Sequence, residues 1–275
     1  TAEWNVGEHK TYQGYFLEYK IFEQDTFEWS EMIFDVDVDA QSKTDSGYII
    51  DWRFHNYLCL VKGDTTSSPA FYDTMRYLVR TTKFGAFQEL VNWKNLSAPM
   101  SQPFREVLND PDMNDSAKKF ASIVMRSFED RNIFEHLHIP GIRQFYTFLG
   151  KSLVVREGEN IETIPHFLTG EPVDYTTELI ELLRRNDQMS LEIISHKQAK
   201  VVPVSKDVRL FLWLGAQMNG KPFPDEQQLL LPSSLNETTL SIVDEKTGWV
   251  KHCLQHKHIE TSGWIIMQQY SIDEK

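Results

Sequence analysis

Three histidines near the end of the chain, His252, His256 and His258, have the side-chain type and spacing of metal ligands. They fall in a run rich in β-forming residues, and side chains an even number of residues apart share one face of a regular strand. His252 and His256 would stand roughly 13–14 Å apart along such a strand, which is too far for one ion. The metal site that this spacing allows contains His256 and His258 with a ligand from elsewhere. The alternative is a row of exposed imidazoles.

A second group with chemical potential is the acidic row Asp35, Asp37 and Asp39, which alternates with apolar residues. A calcium loop of the EF-hand type needs a glycine inside the loop and a bidentate glutamate at its end, and the sequence has neither at the required spacing. Alternation with a period of two is typical of a strand with one buried face. We therefore predict that the aspartates face solvent and that Val36 and Val38 lie in the core.

Local motifs for nucleophilic, metal-dependent or nucleotide chemistry are missing from the sequence. It contains no G-x-S-x-G, H-E-x-x-H, Walker loop or G-x-G-x-x-G, the motifs that mark such sites. His136 and His138 are two residues apart near a predicted helix end, where their side chains do not face each other. We therefore assign no catalytic residue and no cofactor. A hydrolase-type enzyme whose active site is dispersed in the sequence stays an alternative.

The two cysteines, Cys59 and Cys253, each lie among apolar residues in a predicted strand. A buried free thiol that packs as a small hydrophobic group is the usual state of such residues. A disulfide between the two strands is the alternative, since its formation depends on a separation that the sequence does not define.

Aromatic side chains are abundant, with 17 Phe, 10 Tyr and 7 Trp. The tryptophans are spread through the chain and fall mostly in predicted strands: Trp4, Trp29, Trp52, Trp93, Trp213, Trp249 and Trp264. Aromatic residues favour the half-buried surface of sheets on structural grounds. The alternative is a concave sheet whose aromatic lining binds an apolar or carbohydrate ligand.

The elements that must position these residues follow the order strands, helices, strands. Residues 11–92 are β-rich, residues 93–150 are helical, and residues 151–275 are β-rich again apart from a predicted helix at about 207–218. Runs of strands that do not alternate with helices are typical of an antiparallel sheet. We predict an α+β fold in a single domain, residues 1–275. We expect a large curved antiparallel sheet with the helices packed on one face. The alternative is that the two β-rich halves form separate sheets.

Two of the β runs give more specific predictions. Residues 47–62 are long and largely apolar, as expected of a central strand covered on both faces. Residues 238–275 contain three β runs joined by short turns, which predicts an antiparallel meander at the end of the sheet. In its first turn, residues 244–248, Gly248 is expected at a positive φ.

The helix boundaries follow from capping residues and from proline and glycine. Pro69–Met75 is predicted to be a short helix, because proline suits the first helical turn. Asn92 is predicted to cap the helix that follows it. Further helices are predicted at Ile133–His138 and at Ile142–Leu149, the second of them ended by a glycine.

The composition limits the classes of partner. The formal net charge is −12, from 28 Lys and Arg and 40 Asp and Glu. An acidic chain repels phosphate backbones at long range, so we expect no nucleic-acid partner. The sequence has no apolar run near the roughly 18 residues that a membrane-spanning helix needs, and we predict no transmembrane segment.

Two segments resemble a known group of sequences. Tyr77–Trp93 reads YLVRTTKFGAFQELVNW, a strand and glycine turn followed by ELVNW before a helix, and Ser241–Trp249 reads SIVDEKTGW, with a D-x-x-T-G-W hairpin. Both resemble uncharacterised exported proteins of Gram-negative bacteria. The resemblance implies a periplasmic or cell-surface location and no enzymatic activity, and it supplies no functional residues.

These observations together favour an exported, non-enzymatic protein that binds an apolar small molecule or a partner protein through a concave, sheet-lined surface. The alternatives are the hydrolase-type enzyme and a purely structural protein. A small-molecule binder needs a concave apolar pocket of roughly a few hundred Å3. An enzyme needs titratable groups that converge in a cleft.

Overall fold

The computed structural model describes residues 2–22, 25–61, 64–67, 75–151, 160–165, 172–184, 190–199, 234–261 and 264–275. Within these residues the chain forms twelve strands and five helices. The strands are β1 (His9–Phe22), β2 (Asp25–Thr44), β3 (Gly47–Val61), β4 (Asp64–Ser67), β5 (Arg76–Thr82), β6 (Phe87–Leu90), β7 (Asn160–Pro165), β8 (Pro172–Arg184), β9 (Ser190–Ala199), β10 (Ser234–Asp244), β11 (Val250–Thr261) and β12 (Trp264–Glu274). The helices are α1 (Trp93–Met100), α2 (Gln102–Asn109), α3 (Asp115–Arg126), α4 (Arg131–His138) and α5 (Pro140–Phe145).

The strands belong to one antiparallel sheet. Their order is β6-β5-β3-β2-β1-β12-β11-β10-β9-β8-β7, and β4 pairs with β3 outside this path. In the middle of the sheet, β1 pairs with β12 from Tyr12 opposite Glu274 to Phe22 opposite Trp264. The two β-rich segments of the sequence therefore join in a single sheet. The α+β class, the antiparallel sheet and the antiparallel meander β10-β11-β12 are confirmed. The meander does not lie at the end of the sheet as predicted, because β12 pairs with β1 and β10 pairs with β9, which places it in the middle.

Both edge strands, β6 and β7, contact the same helix, α4. At β6, the amide of Leu90 donates a hydrogen bond to Glu135 Oε1 of α4 at 2.7 Å, so the helix satisfies a backbone group that a sheet edge would otherwise expose. Eleven flat strands would span roughly 50 Å, whereas a helix of this length measures about 12 Å. The sheet must therefore curve strongly to bring its two edges to α4.

The acidic row on β2 has the predicted arrangement. Val36 and Val38 are fully buried, and the alternating aspartates point to the opposite face. There they pair with polar side chains of the neighbouring strands: His9 Nδ1 lies 2.7 Å from Asp39 Oδ1, and Arg53 also pairs with Asp39. The row is an ion-paired outer face of the sheet.

Strand β3 departs from the prediction that both of its faces are covered. Ile50 and Trp52 are fully buried on one face, but Leu58 on the other is 45% exposed. The second face is polar because it continues the ion-paired face of β2. Its one deeply buried carboxylate, Asp51, accepts a hydrogen bond from Arg76 Nη2 at 2.5 Å. Only one face of β3 therefore lies in the core, although its sequence is largely apolar.

Asn92 does not cap α1 as predicted. Asn92 makes no side-chain capping bond to α1; its Oδ1 accepts from the Leu78 amide and its Nδ2 donates to the Arg76 carbonyl. This residue therefore ties the loop to β5. A different asparagine, Asn114, caps α3: its Oδ1 accepts from the Ala117 amide at 2.8 Å.

The other helices differ from the prediction mainly at their ends. The predicted helix Ile133–His138 is observed as α4, which begins two residues earlier after a capping Asp130. The predicted Ile142–Leu149 helix is observed as α5, which begins at Pro140 because proline fits the first turn, and it ends at Phe145. The predicted helix at 207–218 and nearly all of Pro69–Met75 lie outside the described residues. No helix in the described ranges is long and apolar enough to cross a membrane.

The two cysteines are free. Cys59 lies on β3 and Cys253 on β11, and three strands separate these two in the sheet. Four strand spacings amount to roughly 19 Å, whereas a disulfide requires Cα atoms within about 7 Å. The disulfide alternative is therefore wrong.

Candidate apolar ligand site

A cavity of about 410 Å3 lies between the sheet and the connection from α4 to α5. Its sheet wall is built from five strands, and its helical wall from the end of α1 and the α4–α5 corner. The lining side chains are Phe16, Met32, Phe34, Phe54, Tyr57, Cys59, Tyr77 and Tyr270 from the sheet, and Met100 and residues 137–142 from the helices. The lining contains no acidic residue, lysine or arginine among the described residues.

Phe34 of β2 is the centre of the sheet wall. Its ring centroid lies 5.6 Å from that of Phe54, 5.5 Å from that of Tyr57 and 6.1 Å from that of Tyr270. Such separations are typical of packed aromatic pairs. The wall is therefore a continuous aromatic surface that spans β12, β2 and β3.

An irregularity in β3 brings two of the lining residues to the cavity. Asn56 has a φ of 56°, and the pairing of β2 with β3 shifts register beside it. Strict alternation from Phe54 would place Asn56 and Leu58 on the inner face. The extra residue reverses the alternation, so that Tyr57 and Cys59 line the cavity and Leu58 is exposed. β-Bulges redirect side chains next to sites in this way.

The helical wall sits tightly on the sheet at Gly141. A Cβ atom on this residue would lie 1.9 Å from Cζ of Tyr270. Only glycine therefore allows α5 to approach β12 this closely. The contact fixes the position of the Tyr270 ring at the boundary of the cavity, where burial raises the pKa of its hydroxyl well above the usual value.

His138, the last residue of α4, is the one imidazole that lines the cavity among the described residues. Its ring stacks on Phe128 with a centroid separation of 4.4 Å, and its Nε2 lies 2.8 Å from Ser127 Oγ. Because that hydroxyl donates to the Val124 carbonyl at 2.7 Å, we assign the proton to His138 Nε2. Burial lowers the pKa of His138 to about 4, so the imidazole is neutral at neutral pH.

The remaining polar groups of the lining are also uncharged. Burial raises the pKa of the Cys59 thiol, which keeps it protonated and makes it a weak nucleophile. The hydroxyl of Tyr77 lies 3.2 Å from the sulfur of Met75. The site is chemically suited to hold an apolar molecule with few polar groups.

The histidines that the sequence singled out lie elsewhere. His256 and His258 occupy the face of β11 opposite the buried Cys253 and Ile259, and they line a groove there. Neither lies near the cavity. No group of three or more His, Cys, Asp or Glu is placed to hold a metal within the described part of the chain. The pair stays a prediction whose third ligand is not assigned.

Three of the tryptophans are buried in the core and do not line the cavity. Trp52 packs edge-on against Phe145 at 4.8 Å and donates its indole N–H to Tyr146 Oη at 2.9 Å. Trp4 and Trp249 stack at 4.7 Å. These three are core residues, and the described cavity lining contains phenylalanines and tyrosines instead.

Comparison with known proteins gives similarity to solved structures alone. No family model matches the sequence, and no curated protein matches it. Among solved structures, the chain is similar to one of lipid–protein interactions in lipovitellin, at 8% sequence identity and a TM-score of 0.45. The match covers 99% of this chain and 25% of that chain, so the chain spans about a quarter of the length of that protein. No family is assigned by these comparisons.

Proposed function

We propose that this protein binds an apolar small molecule in the cavity between the curved sheet and the α4–α5 corner. The observation that carries the proposal is the aromatic and aliphatic lining of a space of about 410 Å3. This volume lies within the roughly 300–1,000 Å3 of known small-molecule sites. Apolar contact in such a site contributes roughly 0.8 kcal/mol per buried methylene.

The proposal includes an arrangement in which the helices cover the concave face of the sheet and form the roof of the site. The tight seat of Gly141 on Tyr270 and the hydrogen bond from Leu90 to Glu135 support this arrangement, because they attach the α4–α5 corner to the sheet at two places. A roof attached in this way holds the cavity open without a bound molecule. Ligand binding then requires little reorganisation of the protein.

Two neighbouring residues of β3 give a matched test. Cys59→Phe places a ring in the cavity, whereas Leu58→Phe places the same ring on the exposed opposite face. A neutral apolar fluorophore, N-phenyl-1-naphthylamine, serves as the probe. We expect Cys59→Phe to weaken its binding by about tenfold, or about 1.4 kcal/mol, and Leu58→Phe to leave it unchanged.

Far-UV and near-UV circular dichroism of both variants shows that the fold is retained. Absence of saturable probe binding by the unmodified protein would contradict the proposal. Equal binding by the two variants would contradict the location of the site. Native mass spectrometry of the protein purified from its own host then tests for a retained ligand.

We further propose an exported protein, located in the periplasm or at the cell surface. The resemblance of Tyr77–Trp93 and Ser241–Trp249 to exported proteins of Gram-negative bacteria supports this location. The test is fractionation of the host cell with periplasmic and cytoplasmic marker proteins. Recovery with the cytoplasmic marker would contradict export.

A further inference from the structure

The imidazole of His138 gives the apolar cavity a polar group whose hydrogen-bonding role is fixed. The Ser127 hydroxyl donates its only proton to the Val124 carbonyl at 2.7 Å. The contact of 2.8 Å between Ser127 Oγ and His138 Nε2 therefore requires a proton on Nε2. The ring is neutral at neutral pH because burial lowers its pKa to about 4, and a neutral imidazole carries one N–H. Nδ1 is thus held as a hydrogen-bond acceptor.

Nδ1 is accessible on the cavity side of the ring. The ring stacks on Phe128 at a centroid separation of 4.4 Å and contacts Phe134 at 4.9 Å. Neither of these phenylalanines lines the cavity, and neither does Ser127. His138 itself is a lining residue, so the cavity meets the part of the ring turned away from them. Among the described residues Nδ1 has no hydrogen-bond partner, and it is not one of the fully buried polar atoms that lack one. It therefore keeps surface that a ligand can reach.

The other polar groups of the lining impose no such requirement. Hydroxyl and thiol groups rotate and can donate or accept, so Tyr57, Tyr270 and Cys59 adapt to either kind of ligand atom. The described lining residues include no acidic residue, lysine or arginine. An ionised group is costly to bury without a partner of opposite charge, so the cavity disfavours a ligand that carries a carboxylate or an ammonium group.

We propose that the ligand of this cavity is an apolar alcohol whose hydroxyl donates a hydrogen bond to His138 Nδ1 while its hydrocarbon part contacts the aromatic wall. This inference rests on the proposed function and adds the chemical class of the ligand to it. An ether of the same size brings a second lone pair to Nδ1 and leaves it unsatisfied. An ionised fatty acid brings neither a donor nor a partner for its charge. A site built around one acceptor discriminates against analogues that lack the matching donor.

Displacement of N-phenyl-1-naphthylamine at neutral pH by three ligands tests this class. Nonanol and octyl methyl ether are isomers, so they match in size and differ in the hydroxyl proton, and nonanoate carries a charge instead. The measured quantity is the ratio of the affinities for nonanol and for the ether. We expect the unmodified protein to bind nonanol about three- to tenfold tighter than the ether, and nonanoate more weakly than nonanol.

Two variants attribute this ratio to the imidazole. His138→Phe keeps an aromatic ring beside Phe128 and removes the acceptor. Its ratio should fall by about three- to tenfold, whereas a change in packing alone would affect both isomers alike. His256→Phe, at an exposed position of β11, should keep the ratio of the unmodified protein. Near-UV circular dichroism establishes that each variant is folded.

Long-range proton–nitrogen NMR of the unmodified protein gives a second readout that needs no variant. The His138 ring should carry its proton on Nε2, and the Nδ1 resonance should shift when nonanol binds but not when the ether binds. A proton on Nδ1, an equal shift with both isomers, or an unchanged ratio in folded His138→Phe would overturn the ligand class and leave the cavity as a binding site. Absence of saturable fluorophore binding would contradict the proposed function and this inference with it.

Discussion

The buried imidazole of His138 makes the stability of the protein depend on pH in a defined window. Its pKa in the folded chain is about 4, against 6.5 for the free side chain, and the cause is burial beside Phe128 and Phe134. No carboxylate contributes to this pKa. Between these two values the unfolded chain binds a proton that the folded chain excludes, so the free energy of unfolding falls as the pH is lowered.

The size of the effect follows from the difference between the two values. At 1.36 kcal/mol for each pH unit, the difference between about 4 and 6.5 corresponds to about 3 kcal/mol when the window has been fully crossed. Between pH 7 and about pH 4.5, most of this, roughly 2 kcal/mol, is lost. The contribution is fully present above pH 6.5 and is absent below the folded pKa.

Urea denaturation at several pH values measures this contribution by comparison of variants. His138→Phe keeps an aromatic ring against Phe128 and removes the titrating group, and His256→Phe removes an exposed histidine as a control. The unmodified protein and the His256 variant should lose roughly 2 kcal/mol more than the His138 variant between pH 7 and about pH 4.5. Parallel pH profiles for all three proteins would refute the reasoning.

Three further predictions concern backbone positions. Asn56→Val should lower the free energy of unfolding by about 1–2 kcal/mol, because a β-branched residue disfavours a positive φ, and Asn56→Gly should not. Gly248→Val should lower the thermal unfolding temperature for the same reason, since Gly248 has a φ of 74°; an unchanged temperature would argue against it. Gly141→Ala should cost about 1–3 kcal/mol in urea denaturation and weaken the neutral fluorophore, because the new methyl group displaces the Tyr270 ring; wild-type values in both assays would contradict this.

The sequence was sufficient for features that depend on residues close together in the chain. The alternation in β2 predicted which side chains are buried, because a strand presents successive residues to opposite faces. The turn before β11 was predicted from Gly248, whose positive φ the structure confirms. In β3 the same reasoning failed, because an apolar run does not reveal whether the second face is covered.

The cavity could not be predicted, because it depends on contacts between distant segments. Tyr270 and Gly141 are far apart in the sequence and close together in the structure, and no pattern in the sequence indicates that contact. The reversal of the alternation at Asn56 is equally hidden, although asparagine is one of the few residues that adopt a positive φ readily. The charged row of Lys197, Glu237 and Lys257 is hidden for a similar reason, since these residues become neighbours only through strand pairing.

The pairing of β1 with β12 has a consequence for how the chain folds. The side chains of Lys10 and Glu274, which form an ion pair across this seam, are 264 residues apart in sequence. Because loop closure must precede such a contact, a sheet with its most distant segments at its centre is expected to form slowly. On a ribosome, β1 and β2 remain without β12 until that strand has emerged. During that interval β1 presents an open edge to other chains, and β12 protects the protein from aggregation by pairing with it.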